Sequence, residues 1–146
     1  MSSLTRIFVL TAGVLLLLTA GLSAAAPTAV GDPLPRVVCS GGYTATIFAE
    51  GLSSPDGLAF DPISGQLTVA EESAGEVSQI PVGGGTPVTL MSGLTAPEGI
   101  AYDGMGNLYV VEDTLNGRLV KYDSSGITST LAISLTYPEG VTVGHD

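Results

Sequence analysis

Several residue types and patterns are scarce in this chain, and each scarcity excludes something. The 146 residues include one cysteine, Cys39, so no intramolecular disulfide can form and stability must come from packing. A lone thiol could pair between chains, but a small, semi-buried residue without a role is the favoured interpretation. The one histidine, His145, excludes a histidine-rich metal cluster, and no spacing supports Ser-His-Asp or Cys-His catalysis. We expect no catalytic residue from these patterns.

Basic residues are also few. From Pro27 onward the chain has all 14 acidic residues but three basic ones, Arg36, Arg118 and Lys121, for a net charge of −11. Such a surface repels polyanions, so nucleic acid and anionic lipid are excluded as partners. The carboxylates could attract cations, or they could serve solubility alone.

The long apolar run at the N-terminus is the exception to this polar character. Arg6 precedes an apolar stretch from Ile7 to Leu22, which ends in the small residues Ala24, Ala25 and Ala26. This pattern predicts a secretory signal-peptide helix over residues 1–26, cleaved after Ala26. An uncleaved membrane anchor is the alternative, since the run is long enough to span a bilayer. We expect a secreted or periplasmic protein without a membrane segment after cleavage.

The rest of the chain contains an internal repeat. Residues 51–61 (GLSSPDGLAFD) match residues 93–103 (GLTAPEGIAYD), and a third copy begins at Ser134. The prolines at 55, 97 and 138 are spaced by 42 and 41 residues. A period of this length fits either a four-stranded propeller blade or a two-helix repeat.

The content of each repeat selects the blade. Short β-branched and aromatic runs alternate with Gly, Pro, Asn and Asp, and no stretch after Ala26 sustains a helical period. The second copy predicts strands over residues 99–102, 108–111, 118–122 and 127–132. Pro87 lies in the fourth run of the first copy, which indicates an edge strand at the rim of its blade. The lead strand Tyr43–Ala49 occupies the place of an outer strand, with no inner strands before it.

We therefore predict an all-β fold, a partial and open β-propeller, preceded by the signal-peptide helix. Residues 27–42 form an extended leader, and residues 43–146 hold about two and a half blades, as repeats 51–92, 93–133 and a truncated 134–146. Val141–Val143 is expected as an innermost strand, with the chain stopping in the next turn. A fragment of a longer protein is the favoured explanation. A partial ring that associates through its open blade faces and a stable isolated arc are the alternatives.

Three motifs carry a family resemblance over about residues 43–146. They are the Pro-(Asp/Glu)-Gly-aliphatic-Ala step, residues 106–113 (GNLYVVED) and residues 116–122 (NGRLVKY). Together they resemble the six-bladed propellers of the senescence-marker-protein/gluconolactonase group. NHL-repeat, strictosidine-synthase-like, virginiamycin B lyase-like and other TolB-like propellers are related to that group.

The resemblance implies a divalent metal, usually calcium, at one mouth of the central channel. The positions that match its ligands are Asp56, Glu98 and Glu139, one in each Pro-x-Gly step. Hard cations take six to eight oxygen ligands, so three carboxylates would be a partial set. The alternative is that Pro, a polar residue and Gly are turn chemistry without any function. A second acidic pair ends the second strand of each repeat, Glu71-Glu72 and Glu112-Asp113, and a structural role is favoured there.

Two functions remain open from the sequence. The first is a binding or scaffold propeller, or a fragment of one, that contacts a protein, glycan or small-molecule ligand. The second is a fragment of a metal-dependent lactone hydrolase of the gluconolactonase type, or of a related lyase. Fold alone does not decide between them.

Overall fold

The residues that the structure describes form three antiparallel sheets made of eleven strands. A computed structural model describes residues 6–11, 14–20 and 43–144. No helix occurs in these ranges. The strands are β1 (Arg6–Thr11), β2 (Val14–Ala20), β3 (Tyr43–Glu50), β4 (Pro55–Phe60), β5 (Leu67–Glu71), β6 (Glu76–Ile80), β7 (Val88–Ser92), β8 (Pro97–Tyr102), β9 (Leu108–Glu112), β10 (Gly117–Tyr122) and β11 (Thr128–Leu135).

Two of the sheets are the predicted four-stranded blades. Blade 1 has the order β4-β5-β6-β7 and blade 2 has the order β8-β9-β10-β11, so each strand pairs with the next along the chain. The connections are short and rich in residues that accept positive φ, for example Gly106 at φ 80° and Gly126 at φ 85°. Each repeat is therefore one meander, as its turn pattern predicted.

The inner strands β4 and β8 are neighbours in space, which arranges the blades side by side around a common axis. An apolar cluster fills the space between the blades. Blade 1 contributes Val77 and Met91 to it, and blade 2 contributes Leu108, Val110 and Val120. All five residues of β5 are buried, because apolar clusters cover both faces of this strand. The architecture is an open, partial β-propeller.

A second apolar cluster covers the other face of blade 1. Leu67, Val69 and Ile80 pack there against Ala49 of β3 and Leu52 of the following loop. The backbone amide of Gly85 also donates to the carbonyl of Phe48 in β3. The lead strand thus flanks blade 1 in the position predicted for an outer strand.

The N-terminal segment differs from its prediction. Residues 6–11 and 14–20 form strands, not a signal-peptide helix, and β2 pairs with both β1 and β3. The physical reason is that β3 has an edge of backbone donors and acceptors, and β2 satisfies them. Two strands thus precede the lead strand, where we expected none, and the signal peptide itself stays a prediction. The cleavage site after Ala26 and the leader 27–42 lie outside the described residues and stay predictions.

The third repeat also differs. Val141–Val143 does not form the expected innermost strand, and residues 138–144 have no regular structure. A strand requires a hydrogen-bonded partner, and the described residues offer none at this position.

In blade 1, Pro87 immediately precedes β7, so its missing N–H does not interrupt the ladder.

Candidate acidic site at the mouth

The Pro-x-Gly step begins the inner strand of each blade, at the end of the arc that we call the mouth. The residue before each proline has left-handed backbone: Ser54 at φ 49°, Ala96 at φ 46° and Tyr137 at φ 46°. The carbonyl groups of Ser54 and Ala96 accept hydrogen bonds from the residues that follow β5 and β9 (Glu72 N and Asp113 N, at 3.0 and 2.8 Å). The same local conformation therefore recurs in each copy and fixes the position of the acidic residue that follows the proline.

The glycine of the step allows neighbouring inner strands to approach each other. A Cβ atom at Gly57 would collide with the carbonyl oxygen of Glu98. A Cβ atom at Gly99 would lie 2.6 Å from the carbonyl oxygen of Glu139. Because each glycine has no side chain, the backbone of the next copy can pack directly against it. Packing alone therefore explains the glycine of the motif.

This close approach brings together the three carboxylates that the sequence singled out. Asp56 and Glu139 are exposed and Glu98 is half-buried. Burial is the main factor that raises the pKa of Glu98 to about 7, followed by a hydrogen bond with Asp113. The negative charges of Asp56, Asp113 and Glu139 raise this pKa further. The three repeat positions therefore influence one another electrostatically.

Asp113 is the member of this cluster that the sequence analysis did not assign to it. Its Oδ1 atom is buried and has no hydrogen-bond partner in the described part of the chain. We expected Asp113 to belong to a separate acidic pair with Glu112. The sequence did contain a signal that Asp113 lies at the mouth. Asp113 directly follows β9, and the second strand of a blade ends at the same mouth where the first begins.

The carboxylates suit a hard cation in chemistry but do not form a complete shell. Within the described residues, no group of three or more Asp, Glu, His or Cys side chains is arranged to hold a metal ion. His145 lies outside the described residues, as does Cys39. The described part of the chain also contains no helix with the length and apolar character that a membrane crossing requires.

Glu71 and Glu112, at the ends of β5 and β9, are structural as expected. Glu71 accepts hydrogen bonds from the amide of Ser53 (2.7 Å) and the hydroxyl of Ser78 (2.6 Å). Glu112 accepts one from the amide of Thr95 at 2.9 Å. Each glutamate thereby ties its second strand to the loop that leads into the inner strand of the same blade.

Glu112 has in addition a charged partner. The guanidinium of Arg118 donates from Nε to Oε2 (2.5 Å) and from Nη2 to Oε1 (2.6 Å). Burial raises the pKa of Glu112, but the hydrogen bonds from Arg118 and Thr95 and the charge of Arg118 hold it below its ordinary value. Glu112 is therefore ionised, and both of its carboxylate oxygens already accept hydrogen bonds, so it is not available as a metal ligand.

Comparison with known proteins supports the fold. No family model matches the chain. No curated protein matches it either. A chain of the nidogen/laminin complex matches with a TM-score of 0.63 and 21% identity, over 88% of this chain and 47% of that one. The present chain thus spans about half the length of that structure.

Two enzymes are also similar. A gluconolactonase from Xanthomonas campestris matches with a TM-score of 0.49 and 18% identity, over 56% of this chain and 26% of that one. A PQQ-bound aldose sugar dehydrogenase from Streptomyces coelicolor matches with a TM-score of 0.49 and 22% identity, over 61% of this chain and 33% of that one. The match to the nidogen/laminin chain supports the β-propeller fold and nothing beyond the fold.

Proposed function

We propose that this chain is part of an exported propeller of the gluconolactonase-like and NHL-repeat superfamily, and that it acts as a binding module through its acidic mouth. One observation carries the proposal. The mouth places Glu98 beside Asp56, Asp113 and Glu139, and burial, a hydrogen bond with Asp113 and the negative charges of all three raise the pKa of Glu98 to about 7. Like charges held together are unfavourable unless a positively charged ligand compensates them.

The simplest ligand of this kind is calcium or another divalent cation. Asp56, Glu98 and Glu139 would be its ligands, with the buried Oδ1 of Asp113 as a further oxygen donor. The side chains must converge on binding, because they are not arranged around a common centre now. A cationic group on a protein, glycan or small-molecule partner would be held by the same charges.

Calcium titration of the full chain tests this proposal. We expect the Tm to rise at millimolar calcium, and we expect the rise to disappear in an Asp56→Asn, Glu98→Gln variant. Asp123→Asn is the matched control, because Asp123 carries the same charge but follows β10 at the opposite end of blade 2. An unchanged Tm in calcium, or equal loss of the response in the control, would remove the divalent site.

The alternative function is a metal-dependent lactone hydrolase or a related lyase. A carboxyl whose pKa is near 7 can accept and release a proton at neutral pH, which favours Glu98 as a proton carrier. A metal at the mouth would supply polarisation of the substrate carbonyl. Hydrolysis of glucono-δ-lactone that requires calcium and is lost in Glu98→Gln would support the enzyme. Calcium binding without hydrolysis would favour the binding module over the enzyme.

A further inference from the structure

A cleft of about 290 Å³ opens between the two blades at the end opposite the mouth. Blade 1 lines it with the turn after β4 and with the outer strands β6 and β7. Blade 2 lines it with the ends of β8 and β10 and with the turn before β11. The side chains that matter for its chemistry are Asp61, Tyr102, Tyr122 and Asp123. A volume of this size suits a small ligand.

Three of the polar side chains of the cleft, Tyr102, Tyr122 and Asp123, are not required by the repeat. Where blade 2 has Tyr102, blade 1 has Phe60 at the same strand end. The position of Tyr122, which pairs with Leu108, is held in blade 1 by Ile80, which pairs with Leu67. The residue after this position is Asp123 in blade 2 and Pro81 in blade 1. The blade fold therefore accepts apolar residues where this cleft has two tyrosines and an aspartate.

The tyrosines are held in place at the cleft. The hydroxyl of Tyr102 lies 2.9 Å from the Oγ1 atom of Thr68 in blade 1. Burial raises the pKa of Tyr102, so the hydroxyl stays protonated at neutral pH. The hydroxyl of Tyr122 lies beside Gly126, where a Cβ atom would be 3.3 Å away. Both rings thus flank the cleft between the blades.

Two carboxylates give the cleft a negative charge. Asp61 accepts hydrogen bonds from the amide of Ile63 and the hydroxyl of Ser64. Burial raises the pKa of Asp61, but these hydrogen bonds outweigh it and lower the pKa below its ordinary value. Asp123 accepts two amides through Oδ1, which leaves Oδ2 without a hydrogen-bond partner among residues 43–144.

No basic side chain lines the cleft to neutralise this charge. Lys121 is next to Tyr122 in sequence but lies on the other face of β10, with its Nζ atom 5.9 Å from the ring centre of Tyr109. An anionic ligand would meet two carboxylates without a compensating cation. An organic cation would meet carboxylates and aromatic rings, which is the combination that recognises ammonium groups.

We infer that the cleft between the blades is a binding site for a small organic ammonium compound, held by Asp123 and Asp61 and by the rings of Tyr102 and Tyr122. The site is at the opposite end of the blades from the acidic mouth and does not rest on the function proposed above. The fold requires none of the blade 2 side chains at these positions, since blade 1 forms without them.

The test uses choline and its uncharged isostere, 3,3-dimethylbutan-1-ol, with the full chain in calorimetric or NMR titrations. We expect choline to bind at least about tenfold more tightly than the neutral alcohol. Asp123→Asn keeps an oxygen that can accept the two amides but removes the charge, and it should weaken choline binding about tenfold. Tyr122→Ile, which restores the blade 1 residue, should weaken it to a similar extent.

Two control variants separate this site from general attraction to an acidic surface. Glu50→Gln removes an exposed carboxylate of the lead strand that does not line the cleft, and it should leave the affinity unchanged. Glu98→Gln at the mouth should also leave it unchanged. Equal binding of choline and the alcohol, binding of glucose but not choline, no binding at all, or equal loss in Glu50→Gln would each overturn the inference.

Discussion

Blades 1 and 2 each bury one glutamate at the end of the second strand, Glu71 at 5% exposure and Glu112 at 2%. In blade 1 the hydroxyl of Ser78 satisfies this carboxylate, and in blade 2 the guanidinium of Arg118 does so. The repeat equivalent of Ser78 is Val120, so the donor has moved to another position of the third strand. The fold thus places a buried hydrogen-bond acceptor at the end of the second strand, but it does not determine which residue donates to this acceptor.

The comparison extends to the whole repeat. Features present in both blades, such as the glycine of the Pro-x-Gly step, have packing explanations. Features present in one blade, such as Tyr122 and Asp123, are not required for a blade to form, because Ile80 and Pro81 take their places in blade 1, and they are the better candidates for function. The predictions below test this division, beginning with the largest expected effect.

Replacing Gly57 by Ala should destabilise the fold by about 3 kcal/mol, because the new Cβ atom would collide with the backbone of the next inner strand. Gly99→Ala should cost less, since its contact with Glu139 is at the end of the described arc. Gly104→Ala is the control, with no atom within 4 Å of the added Cβ. Chemical denaturation of the full chain measures all three. Equal stability of the Gly57 and Gly104 variants would contradict the packing explanation.

Replacing Arg118 by Met should cost about 2 to 3 kcal/mol, because Glu112 would keep a buried charge without its cation. The loss should be smaller than for a fully buried pair, since the side chain of Arg118 is 39% exposed. Ser78→Ala in blade 1 should cost about 1 to 2 kcal/mol. Adding Glu112→Gln to Arg118→Met should recover part of the loss. If the serine variant proves the less stable, the proposed difference between the blades is wrong.

The acidic mouth should make stability depend on pH. The pKa of Glu98 is raised to about 7 in the folded chain, so folding favours its protonated form. This contribution is complete below pH 4.5, the ordinary value, and is lost as the pH rises through 7. We expect the free energy of unfolding to fall by no more than about 1 kcal/mol between pH 5 and 7.5. Glu98→Gln should flatten this part of the profile, while Glu72→Gln should not.

The smallest effect concerns the residue that begins each repeat. Gly51 and Gly93 have left-handed backbone at φ 83° and 77°, and the third copy has Ser134 there at φ 59°. Replacing Ser134 by Gly should stabilise the chain by about 0.5 kcal/mol, because glycine has no Cβ to strain. Ser129→Gly, inside β11, should destabilise it. Thermal melts of the two variants compare them, and a loss in both would show that Ser134 is not strained.

Much of the fold followed from local pattern. The 42-residue and 41-residue spacings, the turn residues and the alternating runs predicted both blades with their strand order, because each blade is a local meander. The Pro-x-Gly spacing also placed Asp56, Glu98 and Glu139 at one mouth, since equivalent residues of adjacent blades meet around a common axis. Their binding of a metal stays a prediction.

What the sequence left open depended on contacts between distant residues. The pattern of residues 6–11 and 14–20 predicted an apolar helix, yet these residues form strands, because the edge of β3 offers hydrogen bonds that no local pattern records. Asp113 joins the mouth, and the cleft at Tyr122 forms, through the packing of one blade against another. The sequence by itself determined the repeat and the hairpins, which are local. Only the tertiary structure decided which side chains share a site, because that depends on how the blades pack.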